Sequence, residues 1–367
     1  MIVAGEPSGD LHASRVAAQL KTLRPDVDLF GMGGDLMEAA KVSLLYHIRD
    51  SAVMGIGEVA SAIPAFLKKQ RHLRRLIREK RPEAVLLVDF AEFNMGLAKY
   101  AHRLQVPVIY YIPPKAWAWR GGRAKKIAKR TSTVASIFPF ETEFYQHAGA
   151  NAKFVGHPLL DFARTDLSVE EAREQLGLST DTRVLGLMPG SRRREVDALL
   201  PIMLDVAQQI HQKLPDCQLI LPLAASIPPE SLPETPSVKI VTGATYKAMR
   251  ASDLMLVTSG TATLEAACLW TPMIVLYKMS WLSWWIIKRL VKLDRSALPN
   301  IIAGHEIVPE LLQGEVQVAR LTSLVLDLLQ NPEKREAQRK ELRKVCEQLG
   351  DRGAVERTAQ LVLNYIE

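Results

Sequence analysis

Cysteine is scarce in this chain. Its three thiols (Cys217, Cys268 and Cys346) lie far apart in 367 residues and share no metal-binding or dithiol spacing. This excludes metal–thiolate and dithiol chemistry, and reads as buried or incidental thiols in a reducing compartment. No apolar run approaches the ~18 residues of a membrane-crossing helix. The N-terminus lacks the basic, apolar and small segments of a secretory leader, so the expected location is the cytoplasm. Zinc knuckles, RNP signatures and basic heptads are also missing, so no nucleic acid is expected as a partner. Yet Lys and Arg number 47 against 40 Asp and Glu, a net charge of +7. The basic residues flank apolar faces, which fits a phosphorylated substrate or an anionic lipid surface.

What the chain does have is small-residue turns between apolar runs and helical patterns. Asp253–Thr258 reads as a buried strand that breaks at Ser259-Gly260-Thr261, with a helix following from Ala262. In an open α/β sheet, ligands sit where a strand's carboxyl end meets the next helix. The unpaired amides and positive dipole end of that helix suit an anion such as a diphosphate. Glu265, one turn in, could hold a pair of sugar hydroxyls. An ordinary capped helix, with Ser259 or Thr261 as the cap, explains the same residues. A second stretch, Val184–Val196, repeats the arrangement. A strand ends at Gly190-Ser191, and Arg192, Arg193, Arg194 and Glu195 open the helix. Arg192 sits where a cation opposes the helix dipole, and its guanidinium matches phosphate oxygens. The two turns read as two walls of one phosphate pocket. Neither is a Walker A loop or a G-x-G-x-x-G turn.

The N-terminal half opens with a third such turn. Ile2–Ala4 is a strand, and Gly5-Glu6-Pro7-Ser8-Gly9-Asp10 leads into a helix to about Leu23. Its acidic residues suit sugar hydroxyls better than phosphate, while capping by Ser8 or Asp10 is the competing reading. Val27–Phe30 reads as the second strand. Ala52–Val59 reads as a glycine-bearing loop entering a helix. From Ile63 to Ile77 the apolar residues, Phe66 and Leu67 among them, share one helical face, with Lys68, Arg71, Arg74, Arg75 and Arg78 over most of the other. This pattern fits a membrane-surface helix and equally a surface helix packed on its own core. Ala84–Val88 is a strand followed by Asp89, a candidate general base. A helix cap near Asn94 is the alternative. Val106–Tyr111 is a strand leading into a loop with Pro113, Pro114, Trp117, Trp119 and Arg120, and Thr133–Phe138 is another. Phe154–Pro158 reads as the crossing into a second domain.

Beyond it, Val184–Met188, Gln218–Pro222, Val238–Val241 and Pro272–Tyr277 are further strands, with helices over 195–213 and Thr245–Ala251. Strands alternating with helices at this spacing give parallel, doubly wound sheets, one set on each side of roughly residue 160. Trp281, Trp284 and Trp285 then fall at i, i+3 and i+4, with basic residues after them. That suits a membrane interface or an acyl chain, and otherwise a helix docked on the other domain. Asn300 is a polar contact candidate. Two amphipathic helices, Pro332–Leu349 and Arg352–Ile366, are polar enough to pack outside.

At this point the residues resemble a known family, the lipid-A-disaccharide synthases, which are GT-B glycosyltransferases. The resemblance runs from Val3 to about Leu312. It rests on AGEPSGD (Ala4–Asp10), VMGIGEV (Val53–Val59), VDFAEFN (Val88–Asn94), WAWR (Trp117–Arg120), FPFE (Phe138–Glu141), GHPLLD (Gly156–Asp161), MPGSRRREV (Met188–Val196), SGTATLE (Ser259–Glu265) and LPN (Leu298–Asn300). The family usually reads Asp-x-Pro-Asp-Phe where this chain has Asp89-Phe-Ala-Glu92-Phe93, and has serines around a proline where this chain has Pro113-Pro114-Lys115.

The resemblance implies two Rossmann-like domains facing a cleft: an acceptor and base domain over 1–160, a UDP-sugar domain over 161–345, and a C-terminal helix over 346–367 packing outside or back on the first domain. It implies transfer of 2,3-diacylglucosamine from its UDP derivative to 2,3-diacylglucosamine 1-phosphate, giving a β-1,6 disaccharide. The anomeric centre inverts, so no covalent enzyme intermediate is needed. Asp89 would be the base. Gly190, Ser191, Arg192, Ser259, Gly260, Thr261, Glu265 and Asn300 would hold the UDP-sugar. The acceptor side would use Glu6, Ser8, Gly9, Asp10, Met54, Gly55, Trp117 and Arg120. Phe66, Leu67, Trp281, Trp284 and Trp285 would touch the cytoplasmic face of the inner membrane. With no Asp-x-Asp signature at a strand end, no metal or cofactor is expected. A homodimer is left open. Two other readings stay open as well: a UDP-sugar epimerase acting on soluble sugars, and a non-catalytic lipid-binding scaffold.

Overall fold

The structure, a computed structural model, describes residues 1–51, 59–119, 121–233, 235, 237–279 and 295–366. The chain divides into two units, Met1–Asp161 with Leu349–Glu367, and Phe162–Gln348. Met54, Gly55, Arg120, Trp281, Trp284 and Trp285 lie outside the described residues.

The first unit is built on seven strands: β1 (Ile2–Ala4), β2 (Phe30–Gly33), β3 (Ser43–His47), β4 (Val85–Val88), β5 (Val108–Tyr111), β6 (Thr133–Ser136) and β7 (Ala152–Phe154). They pair in parallel in the order β3-β2-β1-β4-β5-β6-β7. Helices α1 (Pro7–Leu23), α2 (Asp35–Ala39), α3 (Val59–Lys80), α4 (Ala91–Arg103), α5 (Ala116–Trp119), α6 (Gly121–Ala128) and α7 (Pro139–His147) connect them. β4, Val-Leu-Leu-Val, is buried at every position. An unbroken apolar run of this kind suits a parallel strand covered on both faces. The strand expected at Val27–Phe30 instead runs over Phe30–Gly33, where pairing of Ile2 with Gly31 and Val3 with Met32 fixes it. Tertiary pairing outweighs the turn preference of two glycines. β6 likewise ends at Ser136, two residues before the expected Phe138.

The second unit carries β8 (Val184–Met188), β9 (Gln218–Leu223), β10 (Val238–Thr242), β11 (Leu254–Thr258), β12 (Met273–Tyr277) and β13 (Glu310–Leu312). Their order is β10-β9-β8-β11-β12-β13, again all parallel. The one-turn α8 (Leu159–Phe162) ends the first stretch of the first unit, and the second unit's helices include α9 (Val169–Gln175), α10 (Arg193–Lys213), α11 (Thr245–Ala251) and α12 (Thr261–Cys268). α9 starts on a capping box, with the Ser168 hydroxyl accepting from Glu171 N and the Glu171 carboxylate accepting from Ser168 N. α10 buries Val196, Leu199, Leu200, Met203, Val206, Ala207 and Ile210 in the same core as Leu185, Leu187, Leu219 and Leu221. Each buried Val, Leu, Ile or Met side chain there contributes roughly 1.5–3 kcal/mol.

The helix Ala354–Leu363 belongs to the first unit, not to an outer surface of the second. Its start is capped by Asp161, whose carboxylate accepts from Gly353 N at 2.6 Å and Val355 N at 3.3 Å. Arg357 donates to Val155 O at 2.8 Å. Among the described residues no helix is long and apolar enough to cross a membrane.

Candidate active site

In each sheet the strand order reverses next to the first strand, so the chain leaves β1 and β4, and again β8 and β11, in opposite directions. Such a switch point opens a crevice at the strands' carboxyl ends. All the small-residue turns singled out in the sequence fall at these two points.

In the first unit, β4 ends in two consecutive left-handed residues, Asp89 (φ 48°) and Phe90 (φ 47°). Each costs about 1–3 kcal/mol and persists only if its surroundings fix it. Here they do. The Asp89 amide donates to Tyr111 O at 3.2 Å. The Asp89 carbonyl accepts from Tyr110 OH at 2.9 Å and Asn94 Nδ2 at 2.8 Å, and Asn94 also donates to Val88 O at 3.2 Å. Asn94 is thus a clamp on the strand end, and α4 begins at Phe90 with no side-chain cap. The Phe90 ring stacks on Phe93 at 5.2 Å. It also fills the space above Gly5, where a Cβ would stand 2.0 Å from it. Burial raises the proton affinity of the Asp89 carboxyl, while the Phe90 amide and the Lys115 ammonium pull it back.

Three acceptor-side expectations are corrected or refined. Asp10 is engaged within the fold. Its two carboxylate oxygens accept from Gly34 N, Leu36 N and Met37 N at 2.7–3.1 Å, capping α2 from a buried position. Gly9 is buried too, against Ala4 and the Val88 carbonyl, while Glu6 and Ser8 are exposed at the start of α1. Trp117 packs its ring edge-on against Phe140 at 5.0 Å and donates from Nε1 to Glu141 at 3.2 Å. Burial pushes Glu141 up to about 8, so it is neutral at pH 7. Phe66 is a core contact, 4.9 Å from the Phe93 ring, because its helical face covers α4. Its neighbour Leu67 is exposed.

In the second unit, β8 and β11 pair directly, and this brings the two turns side by side. Gly190 sits at φ 124°, and a Cβ there would meet both the Glu195 carboxylate at 2.5 Å and the Thr258 methyl at 3.2 Å. Arg192 is the N-cap of α10 rather than part of its first turn. Its guanidinium pairs with Glu195 at 2.7 Å, and the other Glu195 oxygen accepts from Ser191 N and Arg192 N. Ser259 donates its hydroxyl to Ser296 O at 3.1 Å. Gly260 then starts α12 with no side-chain cap, leaving exposed Thr261 at the first turn. Glu265 is largely buried one turn on and has no hydrogen bond or ion pair among the described residues. Burial raises its proton affinity. Asn300 is engaged inside the fold. It donates to Val308 O and Glu310, and accepts from Ile307 N and Val308 N, at 2.6–3.0 Å, which uses its whole amide inside the fold.

Among the described residues no group of three or more His, Cys, Asp or Glu is disposed to hold a metal. The second unit offers an uncapped helix start, a guanidinium and a carboxylate on one edge. The profile of the family described as Lipid-A-disaccharide synthetase matches residues 1–365. The chain belongs to the lipid-A-disaccharide synthase family. Relatives of that name are 44% identical in Anaeromyxobacter sp. (strain K) and 40% identical in Geobacter sulfurreducens, each match covering 100% of this chain and 97% of the relative. Among solved structures, MurG of Acinetobacter baumannii has a TM-score of 0.61 at 14% identity, covering 99% of this chain and 98% of that one. The UDP-GlcNAc 2-epimerase of Neisseria meningitidis, bound to UDP-GlcNAc, has 0.63 at 12% identity, covering 97% of each. At such identities these two show the fold alone.

A member of the lipid-A-disaccharide synthase family is a glycosyltransferase, and family membership selects that reading over the epimerase and the scaffold. Sequence reasoning passed over Glu141, Tyr110 and the clamp role of Asn94. Glu141 and Asn94 close two of the motifs, FPFE and VDFAEFN, and that position was the available signal. Tyr110 carried none, because a tyrosine in an apolar strand reads as core.

Proposed function

We propose that this chain joins UDP-2,3-diacylglucosamine to 2,3-diacylglucosamine 1-phosphate, releasing UDP and inverting the donor's anomeric centre. The acceptor's 6-hydroxyl oxygen attacks the donor's anomeric carbon as its proton passes to Asp89, and the bond to the UDP oxygen breaks in the same step. The observation that carries this is Asp89 itself. It is a largely buried carboxyl on a strained strand end at a switch point, with its proton affinity raised by burial. A general base works best with a proton affinity near that needed at working pH. The departing nucleotide meets Arg192 and the first-turn amides of α10 and α12, which favour growing negative charge. Glu265 holds the ribose hydroxyls, a role favoured by its lack of a partner among the described residues. Both substrates carry acyl chains, and the reaction takes place at the cytoplasmic face of the inner membrane. Exposed Leu67 among the basic residues of α3 supports contact there.

The test uses purified chain with both acylated substrates and mass spectrometry of the lipid product. Asp89→Asn is expected to keep UDP binding by calorimetry and lose about 10²–10⁴-fold in turnover. Arg192→Ala is expected to weaken UDP. A folded Asp89→Asn variant with full turnover removes the base assignment.

A further inference from the structure

The turn after β5 carries a cation that the reading above does not use. Pro113 and Pro114 are buried, and the Pro114 carbonyl accepts from Tyr145 OH and from Ala116 N. The backbone on either side of Lys115 is therefore fixed, while its side chain is exposed and has no hydrogen bond or ion pair among the described residues. β5 lies beside β4, with Val88 opposite Tyr111 and the Asp89 amide bonded to Tyr111 O. Lys115 thus stands four residues beyond the tie that holds Asp89, and its charge acts on Asp89, Glu141 and His157 alike.

The neighbours do not use this charge. Glu141 is neutral at pH 7, and burial holds His157 down to about 3 and His12 to about 4, so both imidazoles are neutral as well. Arg123, the nearby guanidinium on α6, is paired with Glu92. Asp89 is within electrostatic reach of Lys115 without forming an ion pair with it.

We propose that Lys115 receives the anionic group of the acceptor, a phosphate monoester carried on the sugar whose hydroxyl Asp89 deprotonates. This rests on the acceptor reading above. A lysine ammonium is a compact point charge with three rotatable donors, suited to a phosphate that must dock and leave. Seating the phosphate on Lys115 orients the sugar, so that the hydroxyl at its far end points at the base. The same contact sets specificity, because an acceptor without the phosphate leaves the ammonium with nothing to bind.

The experiment compares the phosphorylated acceptor with its dephosphorylated form in wild type, Lys115→Met and Lys115→Arg. Lys115→Met keeps most of the apolar stem and removes the charge. It is expected to raise KM for the phosphorylated acceptor by about 10- to 100-fold, the worth of one hydrogen bond between charged groups. KM for the UDP-sugar and the unfolding midpoint stay as in wild type. Lys115→Arg recovers most of the loss. With the dephosphorylated acceptor, wild type and Lys115→Met behave alike. An equal loss with both acceptors makes Lys115 a tuner of Asp89 and overturns the assignment, as does an unchanged KM. Asp89→Asn in the same assay separates the two claims. If it turns over normally while Lys115→Met still weakens only the phosphorylated acceptor, the base reading falls and the phosphate seat stands. If wild type joins neither acceptor to the donor, both fall.

Discussion

The strained end of β4 can be tested from a residue that carries no side chain at all. Gly5 lies at the end of β1, and its backbone is one that alanine adopts freely. A Gly→Ala change at such a position ordinarily stabilises by about 0.4–1 kcal/mol through the unfolded chain. Here the new methyl would fall 2.0, 2.3 and 2.4 Å from Cδ1, Cε1 and Cγ of Phe90. Three ring atoms, one of them next to Cβ, cannot all step aside by a small rotation. The ring must leave its stack on Phe93 and its edge contact with Phe66 at 6.1 Å, each worth about 0.5–1.5 kcal/mol. These losses and overpacking, itself about 1–3 kcal/mol, outweigh that gain, so Gly5→Ala is expected to lose about 1–6 kcal/mol net, read by urea unfolding of the full chain. Phe90 and Asp89 are consecutive left-handed residues, so displacing the ring also moves the carboxyl. Turnover is expected to fall by about tenfold or more, as misplacement of a reacting group does, with UDP affinity unchanged. Adding Phe90→Leu to Gly5→Ala should recover part of the stability. A Gly5→Ala variant with wild-type midpoint and turnover would refute the lock.

Two further outcomes follow from buried polar groups. Glu141 has its proton affinity raised from 4.5 to about 8 by burial. The unfolded chain therefore releases this proton near pH 4.5 and the folded chain only near 8, so its contribution to stability is full below 4.5 and is lost as pH rises through that window. Glu141→Gln, which still accepts from Trp117, should flatten stability against pH between 4.5 and 8 in thermal melts; an unchanged slope would argue against a buried neutral carboxyl. Asn300→Ala should lower the unfolding midpoint, because two backbone amides and a carbonyl lose their partner at about 1–3 kcal/mol each. If the variant melts like wild type but loses UDP affinity, Asn300 faces the ligand after all.

Much of this architecture was legible because central parallel strands announce themselves. Val85–Val88, Val184–Met188 and Leu254–Val257 are apolar throughout and run into turn-forming residues. The edge strands left weaker signals. Ser43–His47 is at most half-buried, and Ala152–Phe154 and Glu310–Leu312 are only three residues long. At the site, residue type indicated chemistry without saying where the side chain would point. Asp10, Glu265 and Asn300 are all polar groups in motifs near turns. Three backbone amides engage Asp10 and the 307–310 segment engages Asn300, while Glu265 is left without a partner among the described residues. Which of the three stays available depends on contacts across 24 to 27 residues for Asp10 and 7 to 10 for Asn300, and no local pattern encodes those.

The return of the last helix to the first unit has a consequence for how the molecule is made. The second unit is inserted within the first, between Asp161 and Leu349. During synthesis it emerges whole and can fold while its host still lacks a piece. The host is complete only when Gly353 and Val355, made after the whole of the second unit, reach the waiting carboxylate of Asp161. A ribosome that stalls before Gly353 would leave a finished second unit attached to an unfinished first one.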